Sequence, residues 1–219
     1  EQLGFTEPTK VQELAIPTIL NSKQDLVALA QTGTGKTGAF GLPLLHKIDP
    51  ENKKVQAIVL SPTRELAIQI AKDLKAYAKK LKGVKSVAVY GGSEIRTQIK
   101  ALENGCQVVV GTPGRMLDLI RRKKLRVEAI QTLVLDEADE MLNMGFQEDL
   151  DAILADTPSE KQTLLFSATM PKQMSSMAKK YMNNPAEIEV GERNSGSKDV
   201  EHQYYVVKAS NRFETLKRL

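Results

Sequence analysis

Cysteine is nearly missing from this sequence: Cys106 stands alone, so no internal disulfide can form. With only His46 and His202 beside it and no Cys-x-x-Cys pair, a zinc constellation is excluded as well. A reducing, cytoplasmic setting is the expectation. No uninterrupted apolar run approaches the ~18 residues a membrane span needs. The first residues, Glu1-Gln2-Leu3-Gly4, lack the basic-then-apolar pattern of an export signal. Internal repeats and low-complexity segments are likewise missing. The chain opens without methionine and closes at Leu219 within a helical pattern, so it reads as a piece excised from a longer protein.

What is present is globular. Hydrophobic residues make up 41% and charged residues 26% of the 219, enough for one full core plus a short appendage. Lys and Arg outnumber Asp and Glu by 31 to 27, a mild excess that permits a polyanionic partner without demanding one. Short β-branched runs recur between helical stretches, at Asp25–Ala30, Val55–Ser61, Val84–Tyr90, Gln107–Gly111, Thr132–Asp136, Thr163–Ser167 and Glu187–Val190. Most are continuously apolar, as strands buried on both faces of a parallel sheet are. The expected fold is therefore α/β, a mostly parallel sheet with helices on both faces. Between Arg64 and Leu81, apolar Leu66, Ile70, Leu74, Tyr77 and Leu81 fall at helical spacing while Lys72, Lys75, Lys79 and Lys80 face elsewhere. These lysines, and the basic run Arg121–Arg126, fit solvated helix faces and ends.

After Val190 the composition turns polar and Gly/Ser-containing, the character of a linker. The expected organisation is a domain over 1–190, a linker over 191–199, and the opening of a second domain over 200–219. In that last part, His202–Lys208 alternates like a strand and Arg212–Leu219 starts a helix.

The first apolar strand runs into Gln31-Thr32-Gly33-Thr34-Gly35-Lys36-Thr37 and then a helical pattern, the strand–loop–helix context of a P-loop. Glycines let the backbone curl so that successive N–H groups meet phosphate oxygens, and the helix N-terminus adds its dipole. Lys36 would reach the β- and γ-phosphates and Thr37 would offer its hydroxyl to Mg2+. The strict pattern has Gly where Ala30 stands here, and a residue as small as Ala keeps the loop compact. Thr132-Leu-Val-Leu-Asp136-Glu137 reads as a buried strand ending in two carboxylates. Asp136 would hold Mg2+, largely through water, with Glu137 beside it. Glu137 would polarise the attacking water for displacement at the γ-phosphate. Lys36, Asp136 and Glu137 are thus the catalytic candidates.

Asp136-Glu137-Ala138-Asp139 spells the tetrapeptide for which the DEAD-box RNA helicases are named, and the rest of the chain resembles that family in order. Residues 4–12, from Gly4 to Gln12, are similar to its Q motif, and Pro62-Thr63-Arg64-Glu65-Leu66-Ala67 to motif Ia. Gly91-Gly92 is similar to its glycine doublet, Thr112-Pro113-Gly114-Arg115 to motif Ib, and Ser167-Ala168-Thr169 to motif III. The resemblance spans Phe5 to Val190 and implies a RecA-like domain that binds ATP with Mg2+. It implies that Gln12 hydrogen-bonds the adenine edge and Phe5 stacks on its face. The phosphate cradle would run from Ala30 through Gln31, Thr32, Gly33, Thr34 and Gly35 to Lys36 and Thr37. Pro62, Thr63, Arg64, Gly91, Gly92, Thr112, Pro113, Gly114 and Arg115 would grip the sugar–phosphate backbone of RNA. Ser167 and Thr169 would bond Asp139 and couple hydrolysis to those loops. The implied partners are RNA and a second RecA-like domain, and the His-Arg-x-Gly-Arg-x-x-Arg stretch that the family places there does not occur in these 219 residues. A P-loop ATPase or kinase unrelated to nucleic acid, or a non-catalytic nucleotide-binding adaptor, are the alternatives.

Overall fold

The computed structural model describes residues 6–191 and 203–218. Seven strands, β1 (Leu26–Ala30), β2 (Ala57–Leu60), β3 (Ser86–Val89), β4 (Val108–Gly111), β5 (Thr132–Asp136), β6 (Gln162–Ser167) and β7 (Ala186–Val190), form one sheet in the order β3-β4-β2-β5-β6-β1-β7. Every pairing is parallel. Each expected apolar run therefore holds a strand, with unchanged bounds at Thr132–Asp136 and elsewhere trimmed or extended by a residue or two at its ends.

Because a strand's side chains alternate between faces, the sheet divides its apolar residues into two cores. Leu26, Ala28, Ala57, Val59, Val108, Val110, Val134, Leu164 and Phe166 face one way. They pack under α1 (Lys10–Asn21), α2 (Lys36–Lys47) and α3 (Arg64–Tyr77). Val27, Ile58, Leu60, Val109, Leu133, Leu135 and Leu165 face the other way. Over them lie α5 (Pro113–Arg121), α6 (Ala138–Asn143), α7 (Gln147–Asp156) and α8 (Lys172–Tyr181), while α4 (Ile95–Glu103) adds partly buried Ile95, Ile99 and Leu102. Covering helices on both faces explain why β5 and β6 are buried at every position. The rings of Phe40 on α2 and Phe166 on β6 meet tilted by 58° with centroids 5.4 Å apart, which pins the helix behind the P-loop to the sheet.

Two expectations need correction. The helix expected to reach Leu81 ends at Tyr77 and tightens into one 3₁₀ turn, Ala78–Lys80. The chain then leaves through Gly83, whose φ of +89° an L side chain resists. The strand expected over His202–Lys208 is not formed: His202 lies outside the described residues, and 203–208 have no regular structure. Alternation alone does not make a strand; its backbone needs a neighbour to pair with, and Tyr204 and Val206 are 89% and 94% exposed here. The helix expected from Arg212 is α9 (Arg212–Leu216), with Leu219 beyond the described residues. Most of the expected linker, 192–199, also lies outside them.

Candidate nucleotide and RNA site

In a parallel sheet the strands' C-terminal ends share one edge, and loops leaving that edge build the site. The P-loop follows β1, Asp136 ends β5, and Ser167 ends β6 between them, with Leu29 paired to Ser167 and Asp136 to Phe166. β1 and β5 are thus two strand spacings apart, about 10 Å.

Gly33 and Gly35 take φ of +77° and +88°. Gly35 is the N-cap of α2, and no side chain caps that end, so its first N–H groups point into the loop. Thr34 Oγ1 donates to Gln31 O at 2.7 Å and closes the turn. Lys36 is buried at 7% exposure and donates to Ala30 O at 3.3 Å, holding its ammonium inside the loop. That bond to the residue standing in place of Gly uses backbone only, which is why Ala serves there.

Gln12 braces this loop. Its Nε2 donates to Gly35 O at 3.0 Å and its Oε1 accepts from Thr9 N at 3.1 Å, with the side chain 7% exposed. A Cβ on Gly35 would sit 2.6 Å from Gln12 Nε2, and one on Gly38 2.8 Å, so both glycines admit the amide. An amide carries two N–H donors and two acceptor lone pairs. Each end of Gln12 therefore keeps one hydrogen-bonding position beyond the brace. Phe5 lies outside the described residues.

Asp136 is 3% exposed, and its Oδ1 is buried with no hydrogen-bond partner. Burial, opposed by the nearby Lys36 and reinforced by the charges of Glu137 and Asp139, pushes its carboxyl up to about 6. An orphaned buried carboxylate oxygen calls for a cation or water. This one, with the Thr37 hydroxyl in the first turn of α2, fits Mg2+. Among the described residues no three His, Cys, Asp or Glu side chains converge as a metal cage. A Mg2+ that takes its other ligands from phosphate and water requires none.

A carboxyl group raised from 3.8 to about 6 binds more protons folded than unfolded, so it lowers stability as pH rises through that window. The penalty is absent below the lower value and complete above the upper, on the order of 2–3 kcal/mol. Asp136→Asn should therefore raise the melting midpoint of the nucleotide-free chain at pH 8 by about 5–10 °C. The gain should shrink at pH 5. Equal midpoints at pH 8 would rule out the buried charge.

Glu137 follows in the left-handed region, φ 53° and ψ 51°, as the N-cap of α6. For a residue with a long side chain this costs on the order of 1–3 kcal/mol, and such strain concentrates at working sites. The Glu137 side chain is half-buried. Asp139 Oδ2 accepts from both the backbone N and the hydroxyl of Thr169, each at 2.9 Å. Ser167 differs from the expectation in detail: its hydroxyl accepts from the Asp139 backbone N–H at 3.3 Å, while Oδ2 of the carboxylate takes Thr169 and Oδ1 accepts from Glu140 N at 3.1 Å. Both links tie the loop after β5 to the loop after β6.

The loops after β2, β3 and β4 gather on the other half of the edge. Thr63 caps α3, its hydroxyl accepting from Leu66 N at 3.2 Å, directly after Pro62. Arg64 pairs with Glu65 at 3.2 Å and lies 6.0 Å above the Tyr90 ring. The place for a Cβ on Gly92 is 3.8 Å from Arg64 Nη1, so the Gly91-Gly92 turn lies against that guanidinium. Thr112 and Pro113 begin α5, and the Cβ position of Gly114 is 3.5 Å from Asp149 Oδ2. Arg115 Nη2 donates to Ser93 O at 3.2 Å, while its Nη1 is buried without a partner. Gln98, absent from the sequence expectations, holds the turn by bonding Tyr90 N and O, each at 3.1 Å, and Ser93 Oγ at 2.6 Å. Nothing in a helix-borne glutamine announces that role before the fold is known.

A RecA-like sheet edge with a P-loop, a buried strand-end carboxylate and a separate group of arginine- and glycine-bearing loops defines a P-loop nucleotide-binding domain. The DEAD/DEAH box helicase family model matches residues 9–177, and the chain belongs to that family. It is 50% identical over 219 residues to a DEAD-box ATP-dependent RNA helicase CshA of Streptococcus pneumoniae, covering all of this chain and 41% of that protein. It is 48% identical over 218 residues to an ATP-dependent RNA helicase CshA of Listeria monocytogenes, of which it covers 42%. Among solved structures, a DEAD box protein from the hyperthermophile Methanococcus jannaschii superposes with a TM-score of 0.83 at 44% identity, over 99% of this chain and 58% of that one. The chain thus spans less than half the length of these curated relatives. No described helix is long and apolar enough to cross a membrane.

Proposed function

We propose that this chain is the ATP-binding half of a cytoplasmic ATP-dependent RNA helicase, and that it works with a second RecA-like domain beginning near residue 200. The observation that carries this reading is the orphaned Asp136 oxygen on the same sheet edge as the buried Lys36 and the uncapped N-terminus of α2. These groups suit one substrate, a nucleoside triphosphate whose phosphates lie along the P-loop. Lys36 neutralises charge on the β- and γ-phosphates, and the loop N–H groups, from Gln31 to Thr37, orient them. Mg2+, held through Asp136 and Thr37 and close to Glu137, would supply charge neutralisation between the phosphate oxygens. Glu137 accepts the proton of the attacking water. Asp139, bonded by Thr169, makes the position of the Glu137 turn depend on the loop after β6.

Adenine follows from Gln12. Its remaining N–H matches the N7 acceptor and its remaining lone pair matches the N6 donor, whereas guanine presents acceptors at both places. Phe5 would stack on the same base. Calorimetry should show ADP binding tighter than GDP, with Gln12→Ala narrowing the gap and weakening both, since the brace on Gly35 goes too. Equal ADP and GDP affinity in the unaltered chain would sink the adenine reading.

RNA follows from the second group of loops. Thr63, Arg64, Gly91, Gly92, Thr112, Pro113, Gly114 and Arg115 offer helix N-termini, close backbone approach and two guanidiniums, the groups that meet phosphate and leave bases unread. The unpartnered Nη1 of Arg115 supports a phosphate there. Fluorescence anisotropy with two unrelated single-stranded RNAs across a salt series tests it. Both should bind alike, and Arg115→Ala should weaken both and flatten the log-affinity against log-salt slope by about 0.7. An unchanged slope or strong preference for one RNA would place the contact elsewhere.

A further inference from the structure

Fold topology gathers the chain's positive charge at the edge opposite the nucleotide and RNA loops. Segments 49–54, 79–85, 103–107 and 121–128 carry eleven Lys and Arg against four Asp and Glu, in a chain whose totals are 31 and 27. The rest of the chain is therefore slightly acidic. The four segments are physically joined around the N-terminal ends of β2, β3 and β4. Gln107 donates to Pro50 O at 3.4 Å and accepts from Lys85 N at 2.9 Å. The Cβ position of Gly83 is 3.3 Å from Pro50 O, and that of Gly105 is 3.7 Å from Lys53 Cβ. Lys124 Nζ reaches Glu103 at 3.0 Å.

Between the first, third and fourth of these segments lies a groove of about 960 Å³, walled by Lys53, Lys54, Lys123, Lys124 and Arg126, with Val55 and Leu102 on its floor. Helix dipoles explain part of this charge, because α3, α4 and α5 all end here, but that effect fades within the last turn. Lys53, Lys54, Lys82, Lys85, Lys124 and Arg126 lie in loops beyond it. Lys123 sits at φ 57°, where a helix commonly ends in Gly, so a cation is kept at a position that disfavours it. Of the five wall residues only Lys124 has an ion-pair partner within 4.0 Å among the described residues.

We propose that this groove docks an acidic segment of a partner protein, a run of Asp and Glu carrying an aliphatic side chain for the Val55–Leu102 floor. Three observations favour a polypeptide over a nucleic acid. No aromatic side chain lines the groove, so bases have nothing to stack on. Glu103 and Glu128 stand among the lining residues and would repel a phosphate chain that carries a charge at every nucleotide, whereas a peptide can set one of its uncharged residues against them. The apolar floor adds nothing to a sugar–phosphate backbone and accommodates a leucine. The groove also lies at the N-terminal ends of the strands, the edge opposite the loop that carries Arg64, so a partner held there leaves the RNA loops open.

The test uses this chain and three labelled probes: a ten-residue Glu/Asp peptide with two leucines, the same peptide with serines for leucines, and a ten-nucleotide uridine RNA. The variants are Lys53→Glu with Lys54→Glu, Lys123→Glu with Arg126→Glu, the milder Lys53→Gln with Lys54→Gln, and Arg115→Ala, each checked for fold by circular dichroism. At physiological salt the leucine peptide should bind the unaltered chain, lose at least tenfold in each reversal and severalfold in the glutamine pair, and be unchanged by Arg115→Ala. RNA affinity should move less than twofold in the reversals and fall in Arg115→Ala. No peptide binding, peptide binding indifferent to the reversals, or equal affinity for the serine peptide overturns the proposal. So does a loss of RNA affinity in the reversals as large as that of the peptide, which would make the groove an RNA surface.

Discussion

Glu137→Gln, placed in a full-length helicase containing this chain, is expected to lower ATP hydrolysis by about 10²–10⁴ while leaving ATP affinity within about twofold. The amide keeps the size of the carboxylate and the same left-handed backbone, φ 53°, so neither the α6 start nor its packing changes. On the proposed assignment, what is lost is the ability to take a proton from the attacking water. A second readout separates this from a general disturbance. The negative charge of Glu137 helps raise the Asp136 carboxyl, so its removal should lower that group from about 6. If Asp136 holds Mg2+ as proposed, Mg2+-dependent nucleotide binding needs it ionised and should weaken as pH falls through about 6 in the unaltered protein. In Glu137→Gln the same weakening should begin at lower pH. Lys36→Ala should behave differently and damage binding itself, because Lys36 is the buried cation of the loop. Turnover at the unaltered rate in Glu137→Gln would remove Glu137 from the role of base.

How far such a site can be read in advance depends on whether its parts are local. The P-loop was legible because seven consecutive residues carry the loop, the helix N-terminus and the lysine, and because the apolar strand before them is continuous. Most strands were legible for a related reason: a strand buried on both faces is largely apolar, and the alternation that divides the residues of β1, β2, β4, β5 and β6 between two cores is hidden by that burial, whereas β7 alternates with exposed Glu187 and Glu189. What was illegible is what tertiary pairing decides. Tyr204–Lys208 alternates as a strand and forms none, since pairing rather than pattern supplies the backbone bonds. Gln12 reads as a helix-surface residue until α1 is seen to lie on the P-loop and its amide to meet Gly35 O. Gln98 gives no signal at all, although it fixes the turn that presents Gly91 and Gly92. The basic groove escaped for the opposite reason. Each of its lysine runs has an adequate local explanation, and only the sheet order β3-β4-β2 brings two separate helix ends and a loop to one place.

The 219-residue chain by itself is expected to bind nucleotide yet hydrolyse ATP at a rate about 10³–10⁵ below that of a full-length protein stimulated by RNA, and to unwind no duplex. On the proposed reading, the sheet edge supplies charge to the γ-phosphate from one side only, through Lys36 and the groups around Asp136. Breaking the terminal phosphate bond spreads negative charge over oxygens that also face away from this edge, and an arginine aimed at them from the far side is the usual remedy. Of the arginines here, Arg64 is engaged with Glu65 and Tyr90, and Arg115 with Ser93, on the half of the edge built by β2, β3 and β4. On the P-loop half, Lys36 is held inside the loop by burial and by its bond to Ala30 O. Phosphate release measured with and without single-stranded RNA, for this chain and for a full-length protein, gives the comparison. Adding the second RecA-like domain as a separate polypeptide should restore part of the RNA-stimulated rate if that domain contributes the missing charge. RNA-stimulated turnover by this chain alone, within tenfold of the full-length rate, would mean that the γ-phosphate is neutralised from within residues 1–219 and that the site is complete as it stands.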